Sequence, residues 1–324
     1  MTRPVAARIR RTVAELALWA GLALGTAVLA SVLAGALAGA SLPVVLGTAL
    51  TRAGMDVAGV ACVGLGLLGA FLPAPADREG AAVQRRADRA MLMLAGAWLT
   101  LALLSVGFRA ADAFGRPVTA LTINQLLRWA TELAAGRGMV LTAGCAAVVV
   151  ACAVVRLHDP DRLSVRIPLV AALLGTLTPA VTGHASSAPD HQLAVVTAAL
   201  HVAAAALWVG GLGAVLALAA PRRTLLDAVL PRFSLLATGC VIAVAVTGLL
   251  NAQVRLDSWG ALLTTGYGGL VVAKSVALVL VAALGGLARR RLATGRTPVL
   301  RWAGLEVALM AVTLGLAAAL TQSA

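Results

Sequence analysis

Lysine occurs once in these 324 residues, at Lys274, and charged residues of all kinds make up only 12% of the chain. An ordinary soluble domain carries about 25%. Aromatic residues amount to 3%, with a single tyrosine, and there are four histidines and four cysteines. Cys62, Cys145, Cys152 and Cys240 all lie in apolar runs with neither CxxC nor zinc-ligand spacing. A disulfide framework and a structural metal knot are therefore excluded. There is no HExxH, no GxSxG and no Walker motif, so the usual carriers of hydrolytic chemistry are missing. What abounds is apolar: 60% of residues, with a mean hydropathy of +0.95. That composition excludes a soluble globular protein and a disordered chain. Against it stands a formal net charge of +13, from 26 basic and 13 acidic residues. In a soluble protein this excess would suggest nucleic acid; in a chain this apolar it is first a question of where the charges sit.

A helix needs about 20 apolar residues to cross the hydrocarbon core. Nine such runs are predicted, at 14–37, 55–73, 91–108, 139–155, 167–183, 192–218, 233–252, 269–288 and 302–321. The connections 1–13, 74–90, 156–166, 219–232 and 289–301 carry 19 arginines, and the alternate connections carry 6. By the positive-inside rule the N-terminus is cytoplasmic and the C-terminus outside. The arginines are thus topology determinants and need no nucleic-acid partner. The expected fold is all-α, a polytopic transmembrane helix bundle of nine spans.

The 109–138 connection strains the rule, because it is placed outside yet contains Arg109, Arg116, Arg128 and Arg137. Within it, Thr122 followed by Gln125 reads as a capping box. Ile123, Leu126, Leu127, Ala130 and Leu133 follow at helical spacing, predicting an amphipathic helix near 121–134 on the outer membrane face. At the N-terminus, Arg8, Arg10 and Arg11 precede an apolar run ending in Ala38-Gly39-Ala40, which resembles a signal-peptidase site. The run is about 25 residues, longer than a signal core, so a retained first helix is expected. Trp129-x6-Gly136-x-Gly138 and Trp259-x6-Gly266-x-Gly268 precede the fourth and eighth spans. This spacing suggests a parallel four-plus-four repeat with an additional ninth helix.

Three of the four histidines fall within 18 residues. His184 and His191 bracket a short outer loop, and His201 lies ten residues further on, about 15 Å along a helix and so near the bilayer midplane. A polar, ionisable group at that depth is costly and marks a functional hypothesis. The other reading is a neutral histidine bonded to a neighbouring helix. Trp208 shares its helix face, and Gly210-Gly211 beyond it allow another helix to approach closely. Imidazole and thioether together suit copper. Met55 and Met139, at the outer ends of the second and fourth spans, stand at the level of His184 and His191, with Asp56 adding a carboxylate. The sole lysine, Lys274, lies about 8 Å inside the eighth span. It either snorkels to the interface or serves as a counter-charge or gate, pairing with Asp56 if the second and eighth spans touch.

The stretch Gly183-His184-Ala185, then His201 followed by Trp208-Val-Gly210-Gly211-Leu212, resembles the signature helix of the copper resistance protein D (CopD) family. Arg232-Phe233-Ser234, Thr247-Gly248-Leu249 with Asn251, Thr265-Gly266-Tyr267-Gly268 and Lys274 continue the resemblance in order, over about 183–291. The resemblance implies a multi-pass protein of the bacterial inner membrane that handles copper ions, usually by uptake, and contributes to resistance. It also implies that the family's membrane histidine corresponds to His201, with Tyr267, Gly268 and Lys274 as further elements. The chain then divides into an N-terminal transmembrane half (1–182), a CopD-like copper-handling region (183–291) and a final transmembrane helix (292–324). No Met-rich tract lies in the outer loops, so a separate periplasmic copper chaperone becomes an expected partner beside the lipid bilayer. Two other functions compete: a haem-binding electron-transfer protein, weakened by there being only one deep histidine, and a copper-delivery factor for assembling a cuproenzyme. An enzyme is not expected.

Overall fold

The computed structural model describes residues 42–72, 78–182 and 191–255, with isolated helical positions between 272 and 283. The chain divides into two compact units, Gly39–Asp257 and a second formed by Met1–Ala38 with Ser258–Ala324. The first is described here; the predicted first and ninth spans lie outside the described residues, and of the eighth only those isolated helical positions are described.

Seven α-helices follow one another: α1 (Leu42–Phe71), α2 (Arg78–Phe114), α3 (Ile123–Glu132), α4 (Ala134–His158), α5 (Arg166–Val181), α6 (His191–Ala214) and α7 (Arg223–Arg255). Five stretches are long and apolar enough to cross a membrane: α1, Glu79–Phe114 of α2, α4, Gln192–Ala219 and Arg223–Leu250 of α7. The chain is therefore a membrane protein, all-helical among the described residues. The shorter α5, with 16 residues, coincides with the predicted fifth span.

The helices outrun the apolar runs from which they are predicted. α1 begins at Leu42 rather than near 55, and α2 begins at Arg78 rather than near 91. Charges in these polar extensions find partners, within the helix in α1 and on other elements in α2. Arg52 Nε donates to Asp56 Oδ2 at 3.0 Å, one turn along α1. In α2, Gln84 donates to Asp88 at 3.2 Å, and Glu79 pairs with Arg222 at 3.2 Å.

α1 is the central element, packed against α2, α5 and α6, while α2 packs on α4, α4 on α5, and α6 on α7. Small residues let the helices close together. An added Cβ on Gly64 would stand 1.9 Å from the Gly210 carbonyl oxygen, and one on Gly210 would stand 2.1 Å from that of Val60. α1 and α6 thus touch backbone to backbone, which only glycine permits at this separation. Trp98 of α2 is fully buried and fills the space left by Gly59 of α1 and Gly175 of α5. Large apolar side chains such as Leu103, Leu141, Leu200, Leu235 and Ile242 point outward, as expected of surfaces facing lipid tails.

One end of the bundle gathers the arginine-rich connections. There Arg156 of α4, 6% exposed, meets Asp88 of α2, 1% exposed, at 3.0 Å. The same guanidinium donates to Pro160 O at 3.3 Å and to Leu163 O, so it also holds the α4–α5 connection. Arg232 of α7 donates to Phe71 O at the end of α1, at 3.3 Å. At the opposite end lies α3. Its Thr122–Gln125 capping box forms as predicted, Trp129 is buried, and Ile123 and Leu127 remain exposed.

Candidate functional site

His201 stands on α6, half-buried and facing α7. Its Nδ1 lies 2.9 Å from Thr247 Oγ1. The threonine hydroxyl has only one proton, and its oxygen is 2.5 Å from Ala243 O and 3.4 Å from Val244 O. The proton must lie on the short bond to the Ala243 carbonyl, because two oxygens at that distance repel unless one donates. The hydroxyl oxygen can then only accept from His201, so Nδ1 carries a proton. In the neutral ring this assigns the lone pair to Nε2, by hydrogen-bond logic rather than by direct sight of hydrogens. Thr247 is itself buried, and the ring rests on the α7 backbone beside Gly248, where an added Cβ would stand 3.5 Å from Cε1.

Such an arrangement is chemically useful. Metal-ligating histidines generally donate their other ring N–H to a fixed acceptor, which sets tautomer and ring orientation. The Nδ1 contact with Thr247 is the bond to a neighbouring helix that one sequence reading of His201 expects. Trp208, two turns along α6, is buried, and the glycine contact with α1 follows at Gly210.

The remaining sequence candidates fall out differently. Met55 and Met139 are 1% and 3% exposed, so both thioethers are enclosed in the bundle rather than displayed at its surface. Asp56 pairs with Arg52. His184, Tyr267 and Lys274 lie outside the described residues, as does the side chain of His191, whose backbone opens α6. Among the described residues no three His, Cys, Asp or Glu side chains converge as a metal-holding group. Sequence reading passed over the role of Thr247. Thr247 entered only as part of the Thr247-Gly248-Leu249 element of the family resemblance, and nothing along the chain ties it to a histidine 46 residues earlier.

Comparison with known proteins bears on both halves of the chain. Residues 227–320 match the family described as copper resistance protein D, and residues 43–192 match the copper resistance protein D-like N-terminal domain. Both regions are thus similar to copper resistance protein D proteins. Copper transport protein CutJ of Bacillus subtilis (strain 168) is 31% identical over 147 residues, covering 42% of this chain and 27% of that relative. The match thus spans about a quarter of CutJ's length. No solved structure matches. The N-terminal domain match runs through α1 to the first residues of α6, and the CopD match begins within α7. His201 falls between them, on the helix that links the two matched regions.

Proposed function

We propose that this protein moves copper ions inward across the bacterial cytoplasmic membrane, with His201 as a transient ligand on the path. The observation that supports this reading most is the Thr247-fixed ring, which presents Nε2 as the lone-pair nitrogen in a helix long enough to span the bilayer. A transport site must bind weakly enough to release, and one imidazole in place of a full ligand set suits passage better than storage. Capture from outside is assigned to His184 and His191, with a periplasmic chaperone as donor. Met55 and Met139 are assigned to the same outer level, as thioethers suited to Cu(I), and Trp208, Tyr267, Lys274 and Asp56 are assigned to lining or gating the path. The arginine-rich end faces the cytoplasm.

Purified protein in proteoliposomes, given Cu(I) outside and a chelator inside, tests the reading. Wild type accumulates copper and His201→Ala does not; equal uptake by the two removes His201 from the path. Direction is tested in cells, where loss of an importer lowers cellular copper. Higher copper in the null strain would reverse the assignment.

A further inference from the structure

The sequence places the whole apolar face of the helix near 121–134 on the membrane, and the structure divides that face in two. Around α3, Trp129, Leu126, Ala130, Ile123 and Leu127 succeed one another over an arc of about 160°. Trp129, at one edge of the arc, is 3% exposed, and Leu126 and Ala130 are half-buried. Ile123 and Leu127, at the other edge, are 76% and 57% exposed. Asn124, Arg128 and Glu132 take the remaining side of the helix and are all exposed. The bundle therefore covers one edge of the apolar arc and leaves the other open. α3 cannot roll to close it, because it packs on α4 and α2. An added Cβ on Gly136, at the start of α4, would overlap the Trp129 carbonyl oxygen and stand 2.9 Å from Ala130 Cα. α3 thus rests directly on the α4 backbone, with Trp129 as its wedge.

What covers the open edge follows from the level at which α3 rests. Arg137, the residue after Gly136, is exposed, and Val140, Leu141, Gly144 and Val148 continue from it along one exposed stripe of α4. α4 is long and apolar enough to cross a membrane, so this stripe looks onto acyl chains. An arginine at the end of such a stripe lays its stem on apolar surface and carries its guanidinium to the polar boundary. Gly136 and Arg137 differ by only about 1.5 Å in height, so α3 lies at the phosphate layer. An amphipathic helix at that level buries its apolar edge just beneath the headgroups and keeps its charged side in water. We propose that α3 and the start of α4 form a phospholipid-binding surface. Ile123 and Leu127 enter the upper acyl layer, Arg137 takes lipid phosphate, and Arg128 and Glu132 face water. Through the Gly136 contact this surface fixes the depth of α4 in the bilayer. It does not depend on the copper reading of His201.

Site-specific fluorescence quenching of the full chain, in nanodiscs of phosphatidylethanolamine and phosphatidylglycerol, tests it. Ile123→Cys, Leu127→Cys, Arg128→Cys, Glu132→Cys and Arg137→Cys are each labelled with a nitrobenzoxadiazole fluorophore. The native cysteines are buried or half-buried, and wild type carried through the same labelling sets the background. Labels at positions 123 and 127 lose most of their emission to lipids with a nitroxide near the top of the acyl chain, and little to aqueous iodide. Labels at 128 and 132 show the reverse, and the label at 137 responds most to a nitroxide on the headgroup. Iodide quenching at 123 and 127 equal to that at 128 overturns the proposal, because the edge is then in water. Shielding of 123 and 127 from both quenchers overturns it in favour of a protein occupant, a second copy or another chain. Should a labelled variant not fold, unaltered protein is irradiated in nanodiscs containing phosphatidylcholine with a diazirine near its ester groups. Adducts on the peptide holding Ile123 and Leu127 carry the same test; adducts on the α4 stripe without any on α3 overturn the proposal.

Discussion

Replacing Gly64 with alanine probes one of the closest helix contacts among the described residues. The added methyl would stand 1.9 Å from the Gly210 carbonyl oxygen, 2.2 Å from its carbon and 2.8 Å from its Cα. These are backbone atoms of α6, so no side-chain rotation relieves the overlap. Restoring an ordinary carbon–oxygen contact requires α1 and α6 to separate locally by about 1.5 Å, and a radial gap of even 0.5–1 Å forfeits about a quarter to a half of each contact's dispersion energy. Overpacking of this kind costs about 1–3 kcal/mol, against about 1 kcal/mol gained by alanine over glycine within a helix. The obstacle being rigid, the upper part of that range applies and a net loss of about 2 kcal/mol is expected. Gly96→Ala and Gly144→Ala serve as controls, because nothing lies within 4 Å of either added methyl. Denaturation of the purified chain in detergent should rank Gly64→Ala below wild type and both controls level with it or above. A Gly64→Ala protein as stable as its controls would refute the backbone contact. Copper uptake should fall with stability, since α6 carries His201 as well as Gly210.

Three further perturbations follow from the geometry. Arg156→Met leaves the Asp88 carboxylate buried without its partner and should cost about 3–5 kcal/mol, whereas Arg156→Met with Asp88→Leu should recover most of that loss; a double variant losing the sum of the singles would deny the coupling. Thr247→Val removes the acceptor for His201 Nδ1 and should lower copper affinity about 10–100-fold, while Thr247→Ser, which keeps the hydroxyl, stays near wild type; equal affinity in the valine and serine variants would sink the positioning role. Thr122→Ala removes the side-chain cap of α3 and should cost about 1 kcal/mol, visible as faster amide exchange at the start of that helix with little change in α1 or α4.

The helices that face lipid were the legible part of the sequence, because an apolar run of spanning length has few other uses. Their polar ends were not. Arg78 to Asp88 read as a connection, yet the segment is helical because Glu79 and Asp88 find Arg222 and Arg156 on other elements. No local pattern reveals such partners. Arg52 likewise read as an outer-loop charge, although Asp56 one turn away lets the helix continue through it. The capping box of α3 was legible to the residue, since it is written entirely in neighbours at fixed spacing. His201 stood out by its rarity, its depth in an apolar run and its place in the family-like stretch. The hydroxyl that orients it lies 46 residues away in an alanine- and valine-rich helix, and only the packing of α6 on α7 brings the two together.

The 16 residues of α5 give a rise of about 24 Å, against a hydrocarbon thickness of about 30 Å. Beside its neighbours, all of at least 24 residues, this helix is too short for the bilayer. Membranes accommodate a short helix by thinning around it or by letting water and headgroups reach down to its end. Thr178 and Thr182 near that end turn their hydroxyls back to the helix's own carbonyls at Leu174 and Thr178, which leaves the terminus compatible with a dry or a wet neighbourhood. Either accommodation would bring polar surroundings closer to the end of α5 than to the ends of its longer neighbours. A cation near that end would then have less hydrocarbon around it than elsewhere in the bilayer, a consequence of helix length alone.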